Sequence, residues 1–205
     1  MTCFTLGANR KMSSRQNTKL TPQGVMTMLG SVLTSNSSST LVSQQTEIQT
    51  AGISREDVIN AQKAWGDGIV AISKAYINGE DYRALAAEII ETLYGYDEGT
   101  VLFKPTKAAE EEFRLTKEEA ISYFVQGIVP ADRGFALQPW SKVRFENVGV
   151  IIHYNYALAM GDYYFTDALN GQEIQVDFTF GYHKTKDGKL LIDLHYSSFP
   201  YHSFY

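Results

Sequence analysis

From Ser54 onward the apolar residues recur at helical spacing. Val58, Trp65, Ile69, Ile72 and Tyr76 fall on one stripe, and Ser54 with Asp57 three residues on reads as the N-cap that starts the helix. Asn78-Gly79 breaks this run, and a second helix over about 81–93 presents Leu85, Ile89, Ile90 and Leu93 on one side. Residues 100–104 are short and β-like, and Pro105 ends them. Thr116 and Glu119 then form a capping box ahead of Ala120, Ile121, Phe124 and Val125, until Gly127 and Pro130 stop this third helix.

After about Lys142 the period changes to two, which predicts strands near 142–152, 157–166, 173–183 and 190–198. Asn170-Gly171 and Asp187-Gly188 are short-range hairpin signals, so the last three strands are expected to form an antiparallel meander. Helices before strands, without a repeat, argue for an α+β fold. The expected form is a cone: a strongly curved antiparallel sheet with about three N-terminal helices packed on its concave face. This layout resembles the nuclear transport factor 2-like cone, whose members include isomerases, cyclases, dehydratases and assembly modules, so the fold alone assigns no reaction.

Composition then divides the chain. Residues 1–46 contain no Asp or Glu, carry Arg10, Lys11, Arg15 and Lys19, and are rich in Ser and Thr over 34–40. Such a segment suits a flexible tail or an organelle transit peptide, and the weak apolar patch at 25–33 resembles a poor signal-peptide core. The expected division is a flexible or targeting stretch over 1–50 and a single cone-shaped domain over 51–205. The expected location is cytoplasmic, or plastid if 1–50 is a transit peptide. With 205 residues, one core is the economical solution. No stretch approaches the ~20 apolar residues that span a bilayer, so no membrane partner is expected. A net charge of −5 argues against a nucleic-acid partner, and Cys3, the only cysteine, can form no intrachain disulfide.

Candidate chemistry comes from strand alternation. Leu190, Ile192, Leu194, Tyr196 and Ser198 share one face of the last predicted strand, and Leu191, Asp193, His195 and Ser197 share the other. If the apolar row faces the core, Tyr196 and Ser198 carry two hydroxyls inward and His195 points away. Thr106, just after Pro105, can project a side chain into the cone or serve a turn, and Tyr123 lies beside the apolar stripe of the third helix. His153, His183, His195 and His202 lack the spacing of a zinc site, so no metal is expected. Asp162 stays open as a general base for isomerase-like chemistry, alternation turns Asp177 outward, and Glu110, Glu111 and Glu112 read as a solvated surface.

Several separate segments resemble one family. They are Ala61-Gln-Lys-Ala-Trp-Gly66, Val101-Leu-Phe-Lys-Pro-Thr106, Glu119-Ala-Ile-Ser-Tyr-Phe124, Ala136-Leu-Gln-Pro-Trp140 and Leu194-His-Tyr-Ser-Ser198. In order and over about 53–201 they look like the iota-class carbonic anhydrases. That resemblance implies reversible hydration of carbon dioxide to bicarbonate without a metal or other cofactor. It carries the family's catalytic threonine, tyrosine and serine onto Thr106, Tyr123 and Ser198, with Tyr196 added as a substrate-binding group. The family's motif is His-His-Ser-Ser where this chain reads His195-Tyr196-Ser197-Ser198, so a tyrosine stands in place of one histidine. The expected ligands are carbon dioxide, bicarbonate and water. The expected assembly, by fold analogy, is a homodimer. The alternatives are an isomerase, cyclase or dehydratase of the same cone, or a non-catalytic association module.

Overall fold

The computed structural model describes residues 52–201. The segment expected to be flexible or targeting, 1–50, lies outside the described residues, as does His202.

Helix α1 spans Arg55–Asn78 and begins with the predicted capping box: the Asp57 N–H donates to Ser54 Oγ at 3.1 Å and the Ser54 N–H to Asp57 Oδ2 at 2.8 Å. Such a cap satisfies two otherwise orphaned donors and contributes about 1 kcal/mol. Gly79 closes the helix at φ 71°, a left-handed conformation that glycine adopts without strain. Helix α2, Tyr82–Leu93, is capped by Asp81, and α3, Lys117–Val125, by the Thr116–Glu119 box. Among the described residues no helix is long and apolar enough to cross a membrane.

Strands β1 (Leu102–Lys104), β2 (Trp140–Ile152), β3 (Tyr156–Asp167), β4 (Glu173–Lys184) and β5 (Leu190–Ser198) form one open sheet in the order β1-β5-β4-β3-β2. β2 to β5 are an antiparallel meander, whereas β1 pairs with β5 in parallel, so the sheet is mixed at this edge. Gly171 at φ 72° and Gly188 at φ 88° make the two predicted tight turns.

Val58, Trp65, Ile69 and Ile72 of α1 bury against Phe124 of α3 and against Tyr163, Phe165, Phe178 and Phe180 on one face of the sheet. Each such side chain contributes roughly 1.5–3 kcal/mol by leaving water. Gln62 is buried too and exchanges two 2.8 Å hydrogen bonds with Asn147, pinning α1 to an irregular step in β2. At that step the register slips between Asn147 and Gly149. Gly161 faces it on β3, where a Cβ would come within 2.0 Å of the Glu146 carbonyl. Only glycine admits so close an approach.

Candidate active site

A second irregularity decides which side chains of β5 reach the core. Tyr182 pairs with Ile192, but the next residue of β4, Gly181, pairs with Leu194, so Asp193 is an extra residue in β5. An extra residue reverses the alternation beyond it. The inward placement expected for Tyr196 and Ser198 is therefore overturned. His195 and Ser197 are buried, each 2% exposed, while Tyr196 is 46% exposed and lies with Ser198 on the outer face of the sheet. Strict period two, counted from Leu190, missed Ser197 and His195. The detectable signal was Gly181, a glycine inside a strand and so a marker of a bulge.

The reversal gives Ser197 a partner. Pro105 ends β1, Thr106 leaves the sheet beside β5, and its hydroxyl donates to Ser197 Oγ at 2.8 Å. Tyr163, buried on β3, brings its hydroxyl within hydrogen-bonding reach of both. Behind it the ring of His195 stacks on Phe103 at 4.6 Å and on Phe180 at 4.2 Å, with Trp65 edge-on at 5.4 Å. His195 Nδ1 lies 2.8 Å from the Tyr94 hydroxyl and Nε2 lies 3.5 Å from the Tyr163 hydroxyl. Burial in this aromatic box drives the imidazole down to about pKa 3, so it is neutral near pH 7. Burial also pushes Tyr94, Tyr123 and Tyr163 upward, which keeps all three phenols protonated and able to donate.

Tyr123 stands between the chain next to Thr106 and a solvent cleft. Its hydroxyl accepts from the Lys107 N–H at 3.4 Å, one residue beyond Thr106, and its ring stacks on Phe135 at 5.5 Å. It lines a cleft of about 430 Å³ together with Tyr76, Tyr82, Lys107, Arg133 and Gln138. The Lys107 ammonium donates to Gln138 Oε1 at 3.0 Å and sits over the Trp140 ring at 5.8 Å, which places a cation at the mouth. Beneath Tyr123, Arg114 and Asp132 form a fully buried ion pair at 2.5 Å, and Ser122 Oγ donates to the second Asp132 oxygen at 2.7 Å. The Arg114 guanidinium lies 5.9 Å from the Tyr123 ring, so this pair supports the wall that carries the phenol.

The remaining candidates lie elsewhere. Asp162 and Asp177 are direct partners across β3 and β4 on the outer face, outside the polar core. His183 stands between Glu98 at 3.3 Å and Asp193 at 3.5 Å, near the start of β5 and away from Ser197 at its end. His153 and the three glutamates at 110–112 are exposed. Among the described residues no three His, Cys, Asp or Glu side chains converge as a metal ion would require. The structure thus brings Thr106 and Tyr123 to one region, adds Ser197, Tyr163, His195 and Tyr94, and leaves Tyr196 and Ser198 outside it.

Comparisons with known proteins identify the family and the fold. A family model described as metal-independent carbonic anhydrase matches residues 56–199. The metal-independent carbonic anhydrase of Nostoc sp. (strain PCC 7120) is 43% identical over 164 residues, covering 78% of this chain and 80% of that protein. The crystal structure of a cyanobacterial iota-carbonic anhydrase complexed with bicarbonate superimposes with a TM-score of 0.71 at 41% identity, covering 74% of this chain and 95% of that one.

Proposed function

Since the chain belongs to the metal-independent carbonic anhydrase family, we propose that it interconverts carbon dioxide and bicarbonate beside the hydroxyls of Thr106 and Ser197. The observation that carries this reading is the 2.8 Å contact between those hydroxyls, backed by Tyr163 and walled by aromatic rings. Carbon dioxide is uncharged and suits apolar walls, while its hydration places negative charge on oxygen. The Ser197 hydroxyl, held by the bond from Thr106, is a fixed donor that can stabilise the charge as it develops, because the surrounding low dielectric strengthens the hydrogen bond. Tyr123, a phenol held protonated by burial, supplies a further donor from the cleft side.

Hydration yields bicarbonate and one proton. His195 does not take it, since burial holds its pKa at about 3 and both ring nitrogens already face tyrosine hydroxyls. The proton passes to a base in solution, so turnover depends on buffer. With Asp162 and Asp177 on the outer face, neither supports the isomerase-like alternative. The test is stopped-flow carbon dioxide hydration by chelator-treated protein. Activity that survives chelation and falls in folded Thr106→Ala, Tyr123→Phe and Ser197→Ala supports the assignment; an inactive wild type overturns it.

We also propose that the chain forms a homodimer through the outer face of its sheet. Support comes from a shallow apolar groove lined by Val148, Ile151, Leu158, Met160 and Thr179, in which Val148, Ile151 and Met160 stand exposed. Contiguous apolar surface of this kind is costly to leave in water. Sedimentation of wild type against Met160→Lys tests it: a dimer that dissociates in the variant supports the proposal, and a monomeric wild type overturns it.

A further inference from the structure

Through the aromatic core runs a line of polar groups whose hydrogens can be ordered from one end. Trp65 Nε1 is a donor only, and it donates to the Tyr94 hydroxyl oxygen at 2.9 Å. The Tyr94 hydrogen is then left for His195 Nδ1, 2.8 Å away. The opposite histidine tautomer would aim two donors at the Tyr94 oxygen and leave its hydrogen without an acceptor in a site that is 2% exposed. A buried unsatisfied donor costs about 1–3 kcal/mol, enough to select one tautomer by about 5- to 150-fold. Nδ1 therefore accepts, and the neutral ring carries its proton on Nε2.

Nε2 faces the Tyr163 hydroxyl at 3.5 Å. When that oxygen receives the Nε2 proton, the Tyr163 hydrogen turns to the hydroxyls of Thr106 and Ser197, which lie within its reach. Thr106 in turn donates to Ser197. Ser197 ends the line as an acceptor, so its own hydrogen is not used within the line and is left for a substrate oxygen placed beside it. Stacking on Phe103 and Phe180 keeps the imidazole from turning over and undoing this order.

We propose that Trp65, Tyr94 and His195 are positioning residues whose fixed hydrogen order holds the Ser197 hydroxyl as a donor toward the oxygens of the substrate. This rests on the reading of Thr106 and Ser197 as the reacting site. The line also ends at an indole that neither accepts nor releases a proton, so it orients donors and carries no proton out of the pocket.

The experiment is a long-range proton–nitrogen correlation on protein labelled with nitrogen-15 at histidine, paired with stopped-flow kinetics, for wild type, Tyr94→Phe and Trp65→Phe. Tyr94→Phe removes one oxygen and keeps the ring, and a thermal melt confirms that each variant is folded. Wild type is expected to show His195 protonated at Nε2. In Tyr94→Phe the Nδ1-protonated form should appear, kcat for hydration should fall about tenfold, the scale of one ordered hydrogen bond, and KM for carbon dioxide should hold. A wild type that hydrates carbon dioxide with His195 protonated at Nδ1 overturns the inference alone. So does a Tyr94→Phe variant whose tautomer shifts while kcat stays. A wild type with Nε2 protonated but no hydration activity sinks the carbonic anhydrase reading and the role of Ser197 toward that substrate, and leaves the hydrogen order standing.

Discussion

The hydroxyl of Thr106 donates to Ser197 Oγ at 2.8 Å, joining the residue that leaves β1 to the buried side of β5. Its neighbour Ser198 lies on the other face of the same strand. Ser197→Ala is therefore expected to lower kcat for carbon dioxide hydration by about a hundredfold, the usual cost of losing one fixed donor to a developing oxyanion. Ser198→Ala should stay within about threefold of wild type, since surface changes seldom reach a buried site. Stopped-flow assays of the two alanine variants side by side decide the assignment, and a larger loss in Ser198→Ala would move the site back to the outer face.

Much of the framework was legible because its signals are local. The boxes at Ser54 and Thr116 place two helix starts to the residue, and Asn170-Gly171 and Asp187-Gly188 place two turns. The inner row Val176, Phe178, Phe180 follows from alternation alone. What alternation could not carry was a change of register, because Asp193 sits in an unbroken β-like run and one extra residue exchanges every side chain beyond it. Thr106 and Tyr123 could be singled out as candidates because each lies at the end or beside the stripe of an element that the sequence delimits. Tyr94 and Tyr163 were not, because their partner, His195, lies 101 and 32 residues away in the chain and on a face assigned to solvent.

Gly181 tests whether the bulge is what brings Ser197 inward. A Cβ there would meet the Tyr156 hydroxyl at 2.7 Å, Leu194 Cβ at 2.8 Å and Asp193 Oδ1 at 2.9 Å. Gly181→Ala must push β5 away or shift its register, at a cost of roughly 1–3 kcal/mol. The urea midpoint should fall and hydration should fall with it, although no residue of the pocket has changed. Full activity in a destabilised variant would show that the register of β5 is held elsewhere.

Arg114 and Asp132 form an ion pair with both side chains out of water. Asp132→Ala leaves the guanidinium charged in the core, which costs about 3–5 kcal/mol, the range for breaking such a pair from one side. Replacing both partners, as in Arg114→Met with Asp132→Leu, should recover a large part of that loss. Urea unfolding of the single and double variants measures it; a single variant within 1 kcal/mol of wild type, roughly the range of a surface pair, would mean that water reaches the site.

Acid should weaken the fold through His195. Its folded pKa is lowered by burial to about 3, below the ordinary 6.5, so the unfolded chain binds a proton that the folded chain refuses. Stability from this residue is complete above pH 6.5 and is lost as pH falls from there toward 3, at about 1.4 kcal/mol per pH unit. His195→Leu removes the titration and should flatten the dependence by that slope between pH 6 and 4. Equal slopes in denaturation curves of wild type and variant would place the histidine in contact with solvent.

The proposed dimer should respond to acid in the opposite direction. Asp162 and Asp177 oppose each other directly across β3 and β4, and the Asp177 carboxyl is raised by burial and by its hydrogen bond to Asp162. Met160, Val148, Tyr196 and Ser198 surround the pair, and Glu146, which pairs with Asp162 in register, is engaged by Arg144. A second copy covering this face would strip more water from Asp177, which disfavours its ionised form further. Association therefore takes up a proton, and the dimer Kd should fall as pH drops from 7 to 5. Asp177→Asn removes one charge, so it should tighten the dimer at pH 7 and flatten the pH dependence. Sedimentation across this range measures both effects; a dimer that loosens on acidification would put the pair outside the interface.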